Sequence, residues 1–396
     1  MPAPRGAAAL LSGVPTEPEI RPLTDADVAE AYALNVEAFG EQPGPAPDGW
    51  PGAGSRGFGA FSAGRLVATA QVLAFASWFG GRAVPTAGIG GVAVRPEERG
   101  AGLLAPLFTA ALADGRERGA VVSTLFPTAP GIYRRLGYEL VGELLDVEVP
   151  VAALGRVAAA PGVTLRRAGA DDRAAAQALY DRWAAAQDGP LTRATPARGF
   201  LDDRHALTVA VADGAVVGYV AWVGREGHRA DRSAVEVREL VAVSAPATAA
   251  LWRFLGGFGS VAATVRLRTS GADPARLALP TAAWRPARQW PYVLKVLDVA
   301  GAFAARGVGP LDVALPFAVA GVGDVRLAAA GGAATCERVD GGTGPTFTPN
   351  GLALAYAGVQ SCANLRFAGL LTGPDTDDAR WDALLGGHPF HIRDYF

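Results

Sequence analysis

Arg99, Gly100 and Gly102 stand between a β-prone run, Val92-Ala93-Val94, and a stretch of helical apolar spacing, Leu104, Leu107, Phe108 and Ala111. Pro96 ends the strand, and the helix is expected from about Leu103 to Arg118. A helix N-terminus offers free backbone N–H groups and the positive end of a dipole. Glycines let a phosphate approach that backbone closely, and Arg99 adds charge. The segment is therefore a candidate site for a phosphate-bearing cofactor. It is neither the G-x-G-x-x-G of a dinucleotide fold nor a P-loop with Gly-Lys-Ser/Thr. An ordinary strand-to-helix turn would also accommodate the glycines. Downstream, Gly131–Tyr138 (GIYRRLGY) supplies two phenols, Tyr133 and Tyr138, in an aromatic turn.

The elements that must position these residues belong to a repeated unit. Ile20–Tyr32 (IRPLTDADVAEAY) resembles Leu165–Leu179 (LRRAGADDRAAAQAL), an offset of 145 residues from Ile20 to Leu165. Both read as a strand end, an Asp-containing cap and an amphipathic helix. FGAFSAGRLVATAQV around Gly64 resembles LTVAVADGAVVGYVA around Gly214, both hairpins with a glycine turn. Val92-Ala93-Val94 recurs as Val241-Ala242-Val243. Matches in one order at nearly constant offset indicate a duplicated α/β unit. Ser244-Ala245-Pro246 follows the second strand, so the second copy lacks the Arg and glycines of the first. From about Trp290 the texture changes. Tyr292–Ala305 reads as a strand leading into a helix. Strand candidates follow at Leu311–Val319 and Asp324–Ala329, then apolar helical stretches at Leu352–Gly358 and Ala363–Leu371. That order suggests an α+β domain.

Composition narrows the class. The net charge of −2 gives no general attraction to nucleic acid or anionic membranes, and no apolar run is long enough to span a bilayer. Two cysteines, Cys336 and Cys362, do not make a disulfide framework and suit a reducing compartment. The N-terminal stretch MPAPRGAAALLSGVP reads as a disordered leader rather than a signal peptide. His205 and His228 are isolated, and His388 and His391 lack companion ligands, so no metal site is expected. No serine sits in a nucleophile elbow.

Arg99-x-x-Gly102-x-Leu104 resembles the acyl-CoA pyrophosphate loop of the GCN5-related N-acetyltransferases (GNATs), where the last position is usually Gly or Ala. Leu104, together with Gly131–Tyr138, resembles one branch, the Eis (enhanced intracellular survival) type. The resemblance implies an α/β and α+β chain with tandem GNAT domains and a sterol-carrier-like C-terminal domain. The expected segments are 1–150 (catalytic GNAT), 151–290 (degenerate GNAT) and 291–396 (sterol-carrier-like). It also implies acetyl-CoA as co-substrate and a homo-oligomer, a hexamer by resemblance, while composition fits a soluble cytoplasmic enzyme.

By the same resemblance, the backbone of Val92 and Val94 holds the pantetheine arm, and the amides of Arg99, Gly100, Gly102 and Leu103 hold the pyrophosphate. Tyr133 is the general acid, with an aromatic packed in a turn as the competing reading and Tyr138 as a rival that reads as core. The carboxylate of Phe396, ending the run Arg393-Asp394-Tyr395-Phe396, is the base. Burial beside apolar rings would raise its weak basicity. Phe39, Glu41 and Trp50 lie where the family lines its amine pocket, and ordinary surface and core roles compete for each. The acceptor is a primary amine of a small molecule, aminoglycoside-like or polyamine, or a lysine side chain. Tyr395, standing where the family often has an acid, weighs against a strongly cationic acceptor. A longer acyl donor, or a non-catalytic carrier of apolar ligands, are the alternative readings.

Overall fold

The computed structural model describes residues 18–40, 42–158, 160–201, 204–224, 233–279 and 283–396. The expected leader, Glu41 and His228 lie outside them. The elements run β1 (Glu19–Pro22), α1 (Val28–Phe39), β2 (Ser55–Ser62), β3 (Arg65–Phe79), β4 (Arg82–Val94), α2 (Leu104–Glu117), β5 (Val122–Leu125), α3 (Pro130–Arg135) and β6 (Glu139–Pro150). There follow α4 (Val151–Leu154), β7 (Thr164–Arg167), α5 (Asp172–Ala185), β8 (Ala206–Ala212), β9 (Ala215–Gly224), β10 (Ala234–Ala242), α6 (Ala245–Gly256), β11 (Thr264–Ser270) and β12 (Arg285–Val296). The last part comprises α7 (Val299–Ala305), β13 (Val313–Val319), β14 (Gly323–Ala330), β15 (Ala333–Arg338), β16 (Thr346–Phe347), α8 (Pro349–Tyr356), α9 (Cys362–Phe367), β17 (Leu371–Thr372) and α10 (Asp378–Leu385).

Local chemistry repeats as the sequence suggests. Asp27 accepts from the Thr24 amide and hydroxyl and pairs with both Nη atoms of Arg21. Asp172 accepts from the Gly169 amide and pairs in the same way with Arg166. The hairpin turns match too. Ala63-Gly64 has φ of 49° and 75°, and Asp213-Gly214 has 49° and 76°, so both are left-handed pairs whose twist suits a tight hairpin.

The chain forms two compact units, which do not follow the three expected segments. One takes the residues up to Pro51 with Arg56–Gln71 and Gly91–Ala111; the other takes Gly52–Ser55, Val72–Gly90 and everything from Leu112 onward. The first holds α1, β2 and the start of α2. Its small core gathers Ala31, Phe61 and Leu66, with Leu23 and Trp50 packed against them.

In the second unit the strand order is β4-β5-β12-β6-β11-β10-β9-β8-β7. β12 lies between β5 and β6, pairing antiparallel with β6 from Arg285↔Glu148 to Leu294↔Glu139 and with β5 from Val293↔Leu125 to Val296↔Val122. The expected break at 290/291 thus falls inside one strand. β6 in turn pairs with β11 from Leu144↔Ser270 to Pro150↔Thr264. Each repeat therefore finishes its sheet with a strand that the other also uses.

Both repeats contain a parallel pair that parts early. β4 follows β5 only from Thr86↔Val122 to Gly88↔Thr124, and β10 follows β11 only from Ala234↔Thr264 to Val237↔Leu267. A five-stranded sheet, β15-β14-β13-β16-β17, with α7–α10 forms the C-terminal α+β part. Its core of Phe303, Phe317, Phe347 and Trp381 is continuous with Val122, Leu144, Tyr292 and Leu294 of the larger sheet.

Candidate active site

In the first unit, the strand leading to the loop alternates as a strand should, with Ala93 buried and Val92 and Val94 half-buried. Arg95 fixes the loop base. Its Nε donates to the Leu66 carbonyl at 2.7 Å, and its Nη2 lies 2.8 Å from the Glu30 carboxylate. One 3₁₀ turn, Pro96–Glu98, leads to exposed Arg99. Gly100 and Gly102 take φ of 87° and 77°, left-handed values that side chains resist. A Cβ at either would meet open space. Leu103 is buried and anchors the entry to α2. The expected loop is thus built as backbone amides, unobstructed by side chains, ahead of a 14-residue helix, suited to an anion. Of the expected amine contacts, Phe39 is 49% exposed at the end of α1. Trp50 packs edge-on against Tyr32 at 5.8 Å, so at least part of its role is core.

In the second unit, α3 carries Tyr133 and begins at Pro130, whose fixed φ suits a first helical position. Tyr133 is buried, which raises its phenol above the ordinary value, so it carries its proton at neutral pH. Tyr138 is wholly buried, its hydroxyl 2.8 Å from Ser123 Oγ, and burial raises it further. It belongs to the core, as the sequence suggests. The turn after Tyr133 is gripped from outside α3. Lys295 Nζ donates to the Leu136 carbonyl at 2.6 Å. Asn350 Nδ2 donates to the carbonyls of Tyr138 at 2.8 Å and Arg134 at 3.2 Å. Sequence reasoning missed both residues. The one available signal was that Lys295 is the only lysine in the chain.

Phe396 lies where β4 leaves β5. Its ring packs edge-on against Phe75 at 4.7 Å, against Phe126 at 5.4 Å and against Tyr292 at 6.2 Å. A Cβ at Gly88 would come within 3.0 Å of the Phe396 ring and collide with Phe75, while a Cβ at Gly90 would stand 3.9 Å from the Phe396 carboxyl carbon. Glycine at these positions leaves room for the chain end.

A buried polar cluster holds the residues before it. Arg193 donates from Nη1 and Nη2 to Glu239 at 2.8 and 2.7 Å, and from Nε to Asp394 at 3.0 and 3.2 Å. Burial favours neutral Asp394 and Glu239, but Arg193 outweighs it and holds both below the usual carboxylate range. Arg193 itself sits at φ 53°, a conformation costing a non-glycine residue roughly 1–2 kcal/mol.

Two family models describing an acetyltransferase (GNAT) domain match this chain, over residues 19–141 and 181–296. The N-acetyltransferase Eis of Mycobacterium tuberculosis is 30% identical over 243 residues, 57% of this chain and 58% of the relative. The chain belongs to the GCN5-related N-acetyltransferases, with two such domains in tandem. An uncharacterized N-acetyltransferase of Streptomyces avermitilis is 30% identical over 217 residues, 50% of this chain and 53% of its own length. These matches span little more than half of the curated relatives. A GCN5-related N-acetyltransferase from Kribbella flavida, 29% identical, superposes with a TM-score of 0.80 over 96% of this chain and 99% of that one. Eis1 from Mycobacterium abscessus, 22% identical, shares the fold at a TM-score of 0.75 over 96% of this chain and all of that one.

The structure adds to the sequence reading the support behind the tail, Arg193, Glu239 and Asp394. Among the described residues no group of three or more His, Cys, Asp or Glu is arranged to hold a metal, and no helix is long and apolar enough to cross a membrane.

His391 in the same tail gives a pH test. Burial, with Arg393 beside it, lowers its imidazole to about 4, and Ser270 Oγ lies 3.0 Å from Nδ1. The folded state thus binds fewer protons than the unfolded state between about pH 4 and pH 6.5. The stability of neutral His391 is complete above about pH 6.5 and lost as pH falls toward 4, by up to about 3 kcal/mol. Melting temperatures measured across that window should fall less steeply in His391→Asn than in the wild type.

Proposed function

We propose that this chain is an acyl-CoA-dependent N-acyltransferase that moves an acetyl group from acetyl-CoA to a primary amine of a small molecule. The amine nitrogen attacks the thioester carbonyl carbon and the C–S bond breaks. The proton lost by nitrogen goes to the Phe396 carboxylate, and Tyr133 gives its phenolic proton to the departing thiolate. The products are an amide and free CoA thiol. The loop at Arg99, Gly100, Gly102 and Leu103 binds the pyrophosphate, with Val92 and Val94 offering backbone to the pantetheine arm.

The observation that carries this reading is the docked chain end: the Phe396 ring packs among aromatic rings where β4 and β5 part, and its carboxyl carbon lies beside Gly90. A free α-carboxylate has a pKa of about 3.5, so on this reading its effect comes from its placement beside the amine rather than from high basicity. Tyr133, kept protonated by burial, is the complementary donor. Acceptors on this reading are small amines with apolar character. Tyr395, beside the terminal residue, stacks on Phe126 at 4.8 Å and is a phenol rather than an acid.

Three measurements test it. Arg99→Ala with Gly102→Glu should weaken acetyl-CoA binding by calorimetry, because charge and bulk enter the phosphate position; unchanged affinity in the folded double variant would remove the loop from the site. Tyr133→Phe keeps the ring and should lower turnover roughly 10²-fold with donor binding retained, whereas wild-type turnover would assign the proton to another group. Deleting Phe396 shifts the carboxylate by about 3.5 Å, beyond proton-transfer reach. That deletion and a C-terminal tag should both abolish amine-dependent thiol release, while an N-terminal tag should not. Intact mass checks that the mature chain ends at Phe396, and equal activity in all three proteins would rule out the carboxylate as base.

A further inference from the structure

The gap between β10 and β11 is the second repeat's counterpart of the gap between β4 and β5, and here the chain's own tail crosses it. Arg393 bridges its two lips: Nη1 donates to the Leu240 carbonyl of β10 at 3.0 Å, and Nη2 to Asp273, just beyond β11, at 2.8 Å. The guanidinium lies over Trp183, 4.0 Å from the ring centroid. The Ile392 amide donates to Ser270 Oγ, the last residue of β11.

β10 carries a bulge here. Its pairing with β9 skips from Val237 to Glu239, leaving Arg238 unpaired in the ladder. A bulge re-aims the side chain it carries. Arg238 Nη1 donates to the Arg393 carbonyl at 2.6 Å, and its Nη2 to Asp394 at 3.1 Å. Arg198 Nη2 completes the grip on the Tyr395 carbonyl at 2.8 Å.

The helix that follows β10 shows why this gap has no donor loop. α6 starts two residues after the strand, with Ser244 Oγ capping the Ala247 amide and Pro246 in the first turn. The Ala247 amide is capped, Pro246 has none to offer, and no glycine lets a phosphate close.

We propose that the second repeat is a tail clamp: the cleft that an active copy would give to an acyl donor instead grips Ile392–Tyr395, with Arg193, Arg198, Arg238 and Asp394 as positioning residues for the carboxylate of Phe396. This rests on the proposed role of Phe396 as base, but the clamp is measurable without it. Charged-group contacts fix Arg393, Asp394 and Tyr395, the residues just before Phe396, so losing one or two should loosen the tail while the sheet survives.

The test uses the full-length protein as wild type, Arg238→Gln, Arg198→Gln, the double variant and Arg238→Lys. Hydrogen exchange read by mass spectrometry on peptides covering 388–396 reports tail docking, melting temperature reports the fold, and amine-dependent thiol release gives kcat and KM. The expected result is exchange in the tail about tenfold faster or more in the double variant, lower kcat with the donor KM kept, and partial recovery in Arg238→Lys. Faster tail exchange with undiminished kcat would support the clamp and overturn Phe396 as base. Tail protection identical in wild type and the double variant, or a wild-type tail that exchanges like free peptide, would overturn the clamp.

Discussion

The pairing of β12 with β5 on one side and β6 on the other is the constraint on which the arrangement of the second unit depends. β12 comes after the whole second repeat, yet it completes the sheet edge laid down by β5 in the first. A strand held along both edges satisfies its backbone on both sides, so it is costly to displace. It carries Tyr292 against Phe126 and Phe396, and Lys295 against the turn that follows Tyr133. It also delivers the chain directly into α7 and the C-terminal core. The tail reaches the parting of β4 and β5 because the strand before that core is already part of the same sheet.

Much of this architecture was legible where the chemistry is local. Asp-Gly and Ala-Gly turns, an Asp three residues into a cap, and Arg-x-x-Gly before a helical run each state their geometry within a few residues. The structure repeats them faithfully, down to the Arg21–Asp27 and Arg166–Asp172 pairs. Tyr138 read as core and is core. The placement of β12 was not legible. Its apolar pattern states that it is a strand but not which edges it joins, and its partners lie more than a hundred residues earlier. Arg193, Glu239 and Asp394 were equally silent. Each looks like an ordinary surface charge, and only folding across a separation of 201 residues makes them one cluster. The expected segment boundaries followed sequence texture, whereas the strand exchange follows pairing.

The buried cluster explains why arginine recurs in it. A guanidinium divides its donors between two carboxylates in a fixed plane, as Arg193 does with Glu239 and Asp394, and a lysine ammonium has no such fork. Burying the charges exacts a large desolvation penalty. It is offset only because each carboxylate oxygen has a donor and Tyr219 adds a hydroxyl to Glu239. Such a cluster adds little net stability but tolerates few geometries, so it fixes the direction of the tail with more certainty than apolar packing alone would.

The solitary lysine has a consequence for covalent housekeeping. Activated thioesters acylate exposed lysine amines without any enzyme, and proteins that gather such compounds are exposed to slow self-damage. Within these 396 residues, 36 positions are Lys or Arg, and all but Lys295 are arginine, whose guanidinium is never deprotonated in proteins and so is not a competing nucleophile. Burial lowers the Lys295 ammonium, with Arg116 adding to the effect, which would make it the more reactive amine. Its nitrogen, however, is tied to the Leu136 carbonyl within a half-buried site. Among side-chain amines, such acylation is thereby confined to one guarded residue, and any amide found there would report directly on how firmly the turn beside Tyr133 stays closed.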